Sequence, residues 1–240
     1  MEKKNNWGDF LIDIHTHLLP FVDDGVKDFN EALTVIKALK NQGVQKLFIT
    51  PHFYRLRNYI STHEENLELF SKLKTLLKEK NIDIELFLGT EIYYNQKTLK
   101  NIQAGIVSDL INNYYLIEFS VDESLYNITE AIHNMVAKGY KPIIAHIERY
   151  ESLNKIEDIS ALKKIGALIQ VNASTVLGSG GFFKKRFIFK LIKKNLVDFI
   201  ATDSHNNRDN LFIKAYEYVD KKFSKEVAQN LFNNQIIFTN

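Results

Sequence analysis

The 240-residue chain contains no cysteine. This excludes disulfides, thiolate metal ligands and catalysis by a cysteine nucleophile, and it suits a reducing compartment. Glycine (10) and proline (3) are scarce, which argues against long disordered linkers. Neither sign of charge dominates: 31 Lys and Arg face 29 Asp and Glu, a formal net charge of +2. Such balance excludes nucleic acid or an anionic membrane as the main partner. No apolar run approaches the about 20 residues of a membrane span. The segment after the basic residues 1–6 carries Asp9 and Asp13, so it reads as no secretory core. The expectation is a cytoplasmic protein without membrane insertion. Its length suits one domain over 1–240.

What is present is a regular alternation. The runs at 11–17, 45–52, 84–92, 114–120, 142–148, 167–173 and 197–205 are almost continuously apolar, the pattern of parallel strands covered on both faces. Helical periods lie between them. Ala32, Leu33, Ile36 and Leu39 share one face of a helix over 29–42, with Gly43 as its stop. Thr62 and Glu65 have capping-box spacing. Ile128, Ala131, Ile132, Met135 and Val136 form a stripe closed by Gly139, and Ser224 heads a last helix to about Asn234. Strand-then-helix units of this kind predict a parallel sheet with right-handed crossovers, either open or closed into a barrel.

Polar residues decide between the two. Five of the seven histidines (His15, His17, His52, His146 and His205) stand at or just past the C-terminal ends of these strands. Glu91, Glu118 and Asp203 stand in similar places, and Asp24 follows the first strand. In a barrel such ends converge on one face, so the barrel is favoured. Imidazole nitrogens with carboxylate oxygens suit Mn, Fe or Zn. Nine candidate ligands exceed the needs of one ion, and a bridging carboxylate with an activated water is the expected arrangement. Taken singly, each motif has a structural explanation. His-Thr-His is two side chains on one strand face, and Asp23-Asp24-Gly25 is a turn. Their coincidence at one end of successive strands argues for a site. His63 and His133 fall in helices and read as non-ligands, while Tyr54, Arg55 and Arg57 read as a solvated loop, with the lining of a substrate cleft as the alternative.

Several motifs carry a resemblance along essentially the whole chain. They are His15-Thr-His-Leu-Leu-Pro with Asp23-Asp24-Gly25, Thr50-Pro51-His52, Gly89-Thr-Glu91, Glu118-Phe, Ala145-His146-Ile-Glu148-Arg149-Tyr150, Val171-Asn-Ala and Thr202-Asp203-Ser-His205-Asn206. In these the sequence resembles the tyrosine-protein phosphatases of bacterial capsule and exopolysaccharide operons, within the polymerase-and-histidinol-phosphatase (PHP) family. The resemblance implies an α/β fold, a distorted seven-stranded TIM-like (β/α) barrel of the PHP type. It implies two or three divalent ions, Mn first with Fe, Zn or Mg as alternatives. The implied ligands are His15, His17, Asp24, His52, Glu91, Glu118, His146, Asp203 and His205, with Glu91 as the bridge. Arg149 would contact the substrate phosphate, with Arg208 as a second contact, and catalysis would rest on Arg149, Asp203 and His205. Ile147 stands where the family has proline, and Arg208 follows the last motif at a short spacing. The implied reaction is direct in-line hydrolysis without a phospho-enzyme. The implied partner is a phosphotyrosine protein, a bacterial tyrosine kinase. The alternative is a PHP phosphatase of a small metabolite such as histidinol phosphate or a nucleotide. An amidohydrolase is disfavoured, because no lysine stands at a strand end to be carbamylated.

Overall fold

All seven apolar runs form strand, but two of them break. In the computed structural model, which describes residues 11–205 and 211–238, the strands are β1 (Leu11–Asp13), β2 (Val44–Ile49), β3 (His52–Phe53), β4 (Glu85–Leu88), β5 (Glu91–Tyr93), β6 (Tyr114–Glu118), β7 (Lys141–Ile144), β8 (Leu168–Asn172) and β9 (Phe199–Ala201). The expected strand 45–52 is interrupted at Pro51, which has no N–H for a ladder. The expected strand 84–92 is interrupted at Gly89, where an added Cβ would come within 2.6 Å of Leu110 Cδ2. These breaks correct the expectation of seven unbroken strands. They turn the backbone just ahead of His52 and Glu91.

Every pairing between named strands is parallel, in the orders β1-β2-β4 and β3-β5-β6-β7-β8-β9. Bonds from Gly89 N–H to Ile49 O (2.9 Å) and from Glu91 N–H to Pro51 O (3.1 Å) carry one ladder into the other. Past β1 the chain pairs on both sides. Thr50 N–H donates to Thr16 O (2.8 Å), Asp203 N–H to His15 O (2.9 Å) and His17 N–H to Ser204 O (2.8 Å). The result is a mixed α/β fold with a curled parallel sheet.

Alternation along the strands separates two cores. Ile12, Ile14, Phe48, Leu116, Ile143, Phe199 and Ala201 form one buried cluster that joins strands of both ladders and of distant places in their order, which places it on the concave side. The intervening residues Leu11, Leu47, Ile49, Ile117, Ile144, Ile169, Val171 and Ile200 pack with the helices in a larger cluster. Those helices are α1 (Phe29–Asn41), α2 (His63–Glu79), α3 (Thr98–Gln103), α4 (Leu125–Val136), α5 (Ile156–Lys164), α6 (Ala173–Leu177), α7 (Phe182–Lys193), α8 (Phe212–Lys222) and α9 (Lys225–Phe232). Their starts follow side-chain chemistry. Asp28 accepts two N–H bonds at α1, Thr62 and Glu65 form the expected capping box at α2, and Ser224 caps α9. No helix among the described residues is long and apolar enough to cross a membrane.

Candidate metal centre

The β1 extension puts His15 and His17 on one face, as a two-residue spacing requires, with their Nε2 atoms 3.1 Å apart. Glu91, at the start of β5, places Oε2 3.1 Å from each of these nitrogens and 3.0 Å from His52 Nδ1. Asp203 Oδ1 lies 3.4 Å from both Nε2 atoms. His146 Nε2 meets Glu91 Oε1 at 2.9 Å and Glu118 Oε1 at 3.6 Å. Asp24 Oδ1 lies 3.6 Å from His52 Nε2 and 3.7 Å from His205 Nε2. All nine sequence-derived ligand candidates therefore converge at one end of the sheet. Arg208 lies outside the described residues. His63 and His133 belong to none of the donor groups found among the described residues.

Seven of the nine fall into three overlapping sets whose ligand atoms lie within 4.8 Å of one another: His15, His17, Glu91 and Asp203; His52, Glu91 and Glu118; His17, His52 and His205; Asp24 and His146 belong to none of the three and border them through the contacts given above. Glu91 belongs to two of them, which suits a bridging carboxylate. Divalent cations fit this arrangement on a further observation. Glu91 Oε2, Asp203 Oδ1 and His52 Nδ1 are buried and make no hydrogen bond, although ring nitrogens or carboxylate oxygens stand nearby. Buried polar atoms aimed at a common centre without an aligned donor are what ligand lone pairs need. Hard carboxylate oxygens with imidazoles and no thiolate suit Mn, Fe or Zn.

The charges already lean on one another. Burial would raise the Glu91 carboxyl, but His15 and His52 hold it well below the usual carboxylate range. Burial and the Glu91 charge push Glu118 up to about 8, against the pull of Arg149. Burial pushes His52 down to about 4, with Glu91 opposing. Cations would keep these carboxylates ionised and these imidazoles neutral. Two of the candidates also sit in left-handed backbone, His146 at φ 33° and Asp203 at φ 54°. Such conformations cost about 1–3 kcal/mol each and persist where the surroundings fix them. Here Gln170 Oε1 accepts the His146 N–H at 2.7 Å, and the His15 carbonyl accepts the Asp203 N–H.

A family model described as capsular polysaccharide synthesis, CpsB/CapC, matches residues 11–237. The chain belongs to the CpsB/CapC family. It is 34% identical over 243 residues to the tyrosine-protein phosphatase CpsB of Streptococcus agalactiae, covering 96% of this chain and 99% of that protein. It is 30% identical over 237 residues to the putative tyrosine-protein phosphatase CapC of Staphylococcus aureus, covering 96% and 92%. It superposes at TM-score 0.84, with 28% identity over 91% of this chain and 90% of the other, on a crystal structure from work on YwqE of Bacillus subtilis and CpsB of Streptococcus pneumoniae, described as unique metal-dependent tyrosine phosphatases.

In this CpsB/CapC chain the supporting residues escaped the strand-end pattern. Asp23 Oδ2 accepts the His17 Nδ1–H at 2.8 Å and the His52 backbone N–H at 2.9 Å. Burial opposes the Asp23 charge, yet the His17 and His52 contacts hold its carboxyl down at about 2. Gln170 Oε1 accepts the His15 Nδ1–H at 3.3 Å, which leaves the Nε2 lone pair for the cluster. Asn172 Nδ2–H donates to Asp203 Oδ2 at 2.9 Å, and Asp13 accepts from the Thr202 N–H and hydroxyl at 3.0 and 2.6 Å. A lone glutamine inside the apolar run 167–173 was the available signal for Gln170. The loop after His52 is also more than a solvated segment. Tyr54 stacks on Tyr93 with ring centroids 3.7 Å apart, and Arg57 Nη1 lies 3.8 Å from Asp24 Oδ2.

Proposed function

We propose that this CpsB/CapC chain is a metal-dependent protein-tyrosine phosphatase acting on a phosphotyrosine-bearing protein of capsule or exopolysaccharide synthesis, a bacterial tyrosine kinase. The observation that carries the reading is Glu91 Oε2, held 3.0–3.1 Å from the ring nitrogens of His15, His17 and His52. The names of the CpsB and CapC relatives support the substrate class. We read the curled sheet as a distorted seven-stranded barrel forming one domain over 1–240. The bridge between Thr16 and Ser204 supports that reading. The lack of cysteine suits a cytoplasmic setting.

The metal ligands in this reading are His15, His17, Asp24, His52, Glu91, Glu118, His146, Asp203 and His205, and Mn is the first choice of ion. Bound divalent ions would supply Lewis acidity toward the phosphoryl oxygens and would lower the pKa of the attacking water. Arg149 does the protein's own share of charge neutralisation. Its Nη2 bonds Asp203 Oδ2, its Nη1 lies 3.9 Å from Glu118 Oε1, and its side chain remains 40% exposed, open to an incoming phosphate. A planar guanidinium suits a tetrahedral dianion. His205 donates Nδ1–H to the Asp203 carbonyl at 3.0 Å. Its Nε2 lone pair therefore faces the cluster as the ligand atom, and a proton for the leaving oxygen would come from solvent water. A phenolate leaving group, with pKa about 10, needs little such help.

The test is phosphate release from a phosphotyrosine peptide and from p-nitrophenyl phosphate, with Mn or with EDTA, beside His15→Ala. Mn-dependent release that EDTA and the variant abolish is the expected result. Turnover of small esters alone would transfer the reading to a metabolite phosphatase. No release with any divalent ion would end the catalytic reading.

A further inference from the structure

Phe182 and Phe183 open α7 with side chains 69% and 84% exposed. Adjacent exposed aromatics of this kind mark an interaction surface more often than a solvated one. Phe183 also borders a cavity of about 560 Å³, together with Val121, Tyr150, Leu153 and Phe187. That volume lies within the range of ligand pockets, about 300–1,000 Å³.

The cavity shares one residue with the surroundings of the metal centre. Arg149 lines it and also bonds Asp203. Its walls extend directly from the site: Val121 comes three residues after Glu118, and Tyr150 follows Arg149. The two walls are pinned together. Glu151 N–H donates to Val121 O at 2.9 Å, and Ser152 Oγ–H to Glu123 O at 2.6 Å. Below them Phe119 N–H donates to Tyr150 Oη at 3.2 Å. Phe183 closes the other side from α7, with Lys184 at the rim. Lys185, the next residue of α7, is engaged elsewhere, over the Tyr218 ring and toward Leu177 O.

Resting on the phosphatase reading above, we propose that this groove is a specificity subsite for the apolar side chain of a residue that flanks phosphotyrosine in the substrate polypeptide. In the reading above Arg149 holds the phosphate, and the groove is lined by that same residue and by none of the nine candidate ligands. A free phosphate ester of a metabolite ends before it. A polypeptide continues past its phosphorylated tyrosine and carries neighbouring side chains outward. The lining of Val121, Tyr150, Leu153, Phe183 and Phe187 selects an aliphatic or aromatic side chain, and exposed Phe183 gains burial when it arrives.

The test uses the full chain with Mn, a set of phosphotyrosyl peptides in which one leucine moves through the flanking positions of a serine background, and p-nitrophenyl phosphate. Leucine at one position is expected to raise kcat/KM about fivefold or more over the serine peptide, the gain from partly burying one such side chain. Phe183→Ser, and separately Val121→Ser on the facing wall, should erase that gain and leave p-nitrophenyl phosphate turnover unchanged. Both positions are exposed enough to take serine without unfolding. If leucine gives no gain anywhere, or if the variants lower both substrates in parallel, the subsite is overturned while the phosphatase reading stands. If the wild-type chain hydrolyses neither substrate, the phosphatase reading itself fails and the subsite falls with it.

Discussion

One carboxylate oxygen of Asp23 accepts two bonds, from His17 Nδ1–H at 2.8 Å and from the His52 backbone N–H at 2.9 Å. Two candidate ligands thereby take their position from a residue that belongs to none of the donor groups found among the described residues. The bond to His17 fixes the proton on Nδ1 and leaves Nε2 free to face Glu91 and Asp203.

Removing that anchor should weaken the metal site without dismantling the sheet. Asp23→Ala is expected to lower Mn affinity about 10–100-fold, the usual cost of losing such a partner. Calorimetric Mn titration measures it, and an unchanged circular dichroism spectrum would show the fold intact. Affinity equal to wild type would mean that the His17 ring is held by packing alone.

Arg149 is expected to tolerate no conservative change. Lysine keeps the charge and loses the planar fork that reaches Asp203 and, on the proposed reading, would reach a phosphoryl oxygen as well. Arg149→Lys should cut kcat/KM by roughly 10²-fold on every substrate, by analogy with losing one transition-state donor. Metal content, read by elemental analysis, should stay at the wild-type level. A fall in metal content would make Arg149 a support of the cluster instead.

These two cases show where sequence reading reached and where it stopped. His15 and His17 were legible because a period of two forces them onto one face. The strand runs were legible because burial on both sides demands nearly unbroken apolar residues. The breaks at Pro51 and Gly89 were harder to see, since a run such as QKLFITPH stays apolar through its own interruption. Asp23 and Asp24 are neighbours with identical chemistry. Only the turn decides that Asp23 faces His17 while Asp24 faces His52 and His205. The groove beside Arg149 combines residues from three separate segments, and no local pattern announces that.

Removing metal should cost stability as well as activity. Glu91, Asp203, His15 and His17 are almost fully buried, so cations that bind only the folded chain stabilise it by mass action. At one hundred times the dissociation constant the gain is about 2.7 kcal/mol. For a chain of this size each kcal/mol is worth roughly 2–4 °C, so Mn should raise Tm by about 5–10 °C over the EDTA-treated protein. Calorimetric scans at several Mn concentrations test this. A Tm independent of Mn would argue against binding inside the buried cluster.

Gly25 offers a test of how tightly the first loop determines the site. A Cβ there would lie 2.1 Å from the His17 carbonyl oxygen and 2.7 Å from His17 Cβ, contacts no side chain can hold. The loop is closed by Val26 N–H to His17 O at 3.1 Å and by Gly25 N–H to Asp23 Oδ1 at 3.0 Å. Relief of the clash must therefore move His17, Asp23 or both. Gly25→Ala is expected to lose roughly 10²-fold or more in activity, together with Mn affinity, because His17 and Asp24 no longer meet their partners. Simple destabilisation could mimic that outcome, so the comparison is Thr62→Ala. It removes the α2 capping box, whose residues belong to none of the donor groups, and should cost about 1 kcal/mol with activity unchanged. If Thr62→Ala and Gly25→Ala lowered activity in proportion to their loss of stability, the loop would matter only for folding. A large activity loss in Gly25→Ala at a comparable Tm would show that the loop sets the position of the ligands.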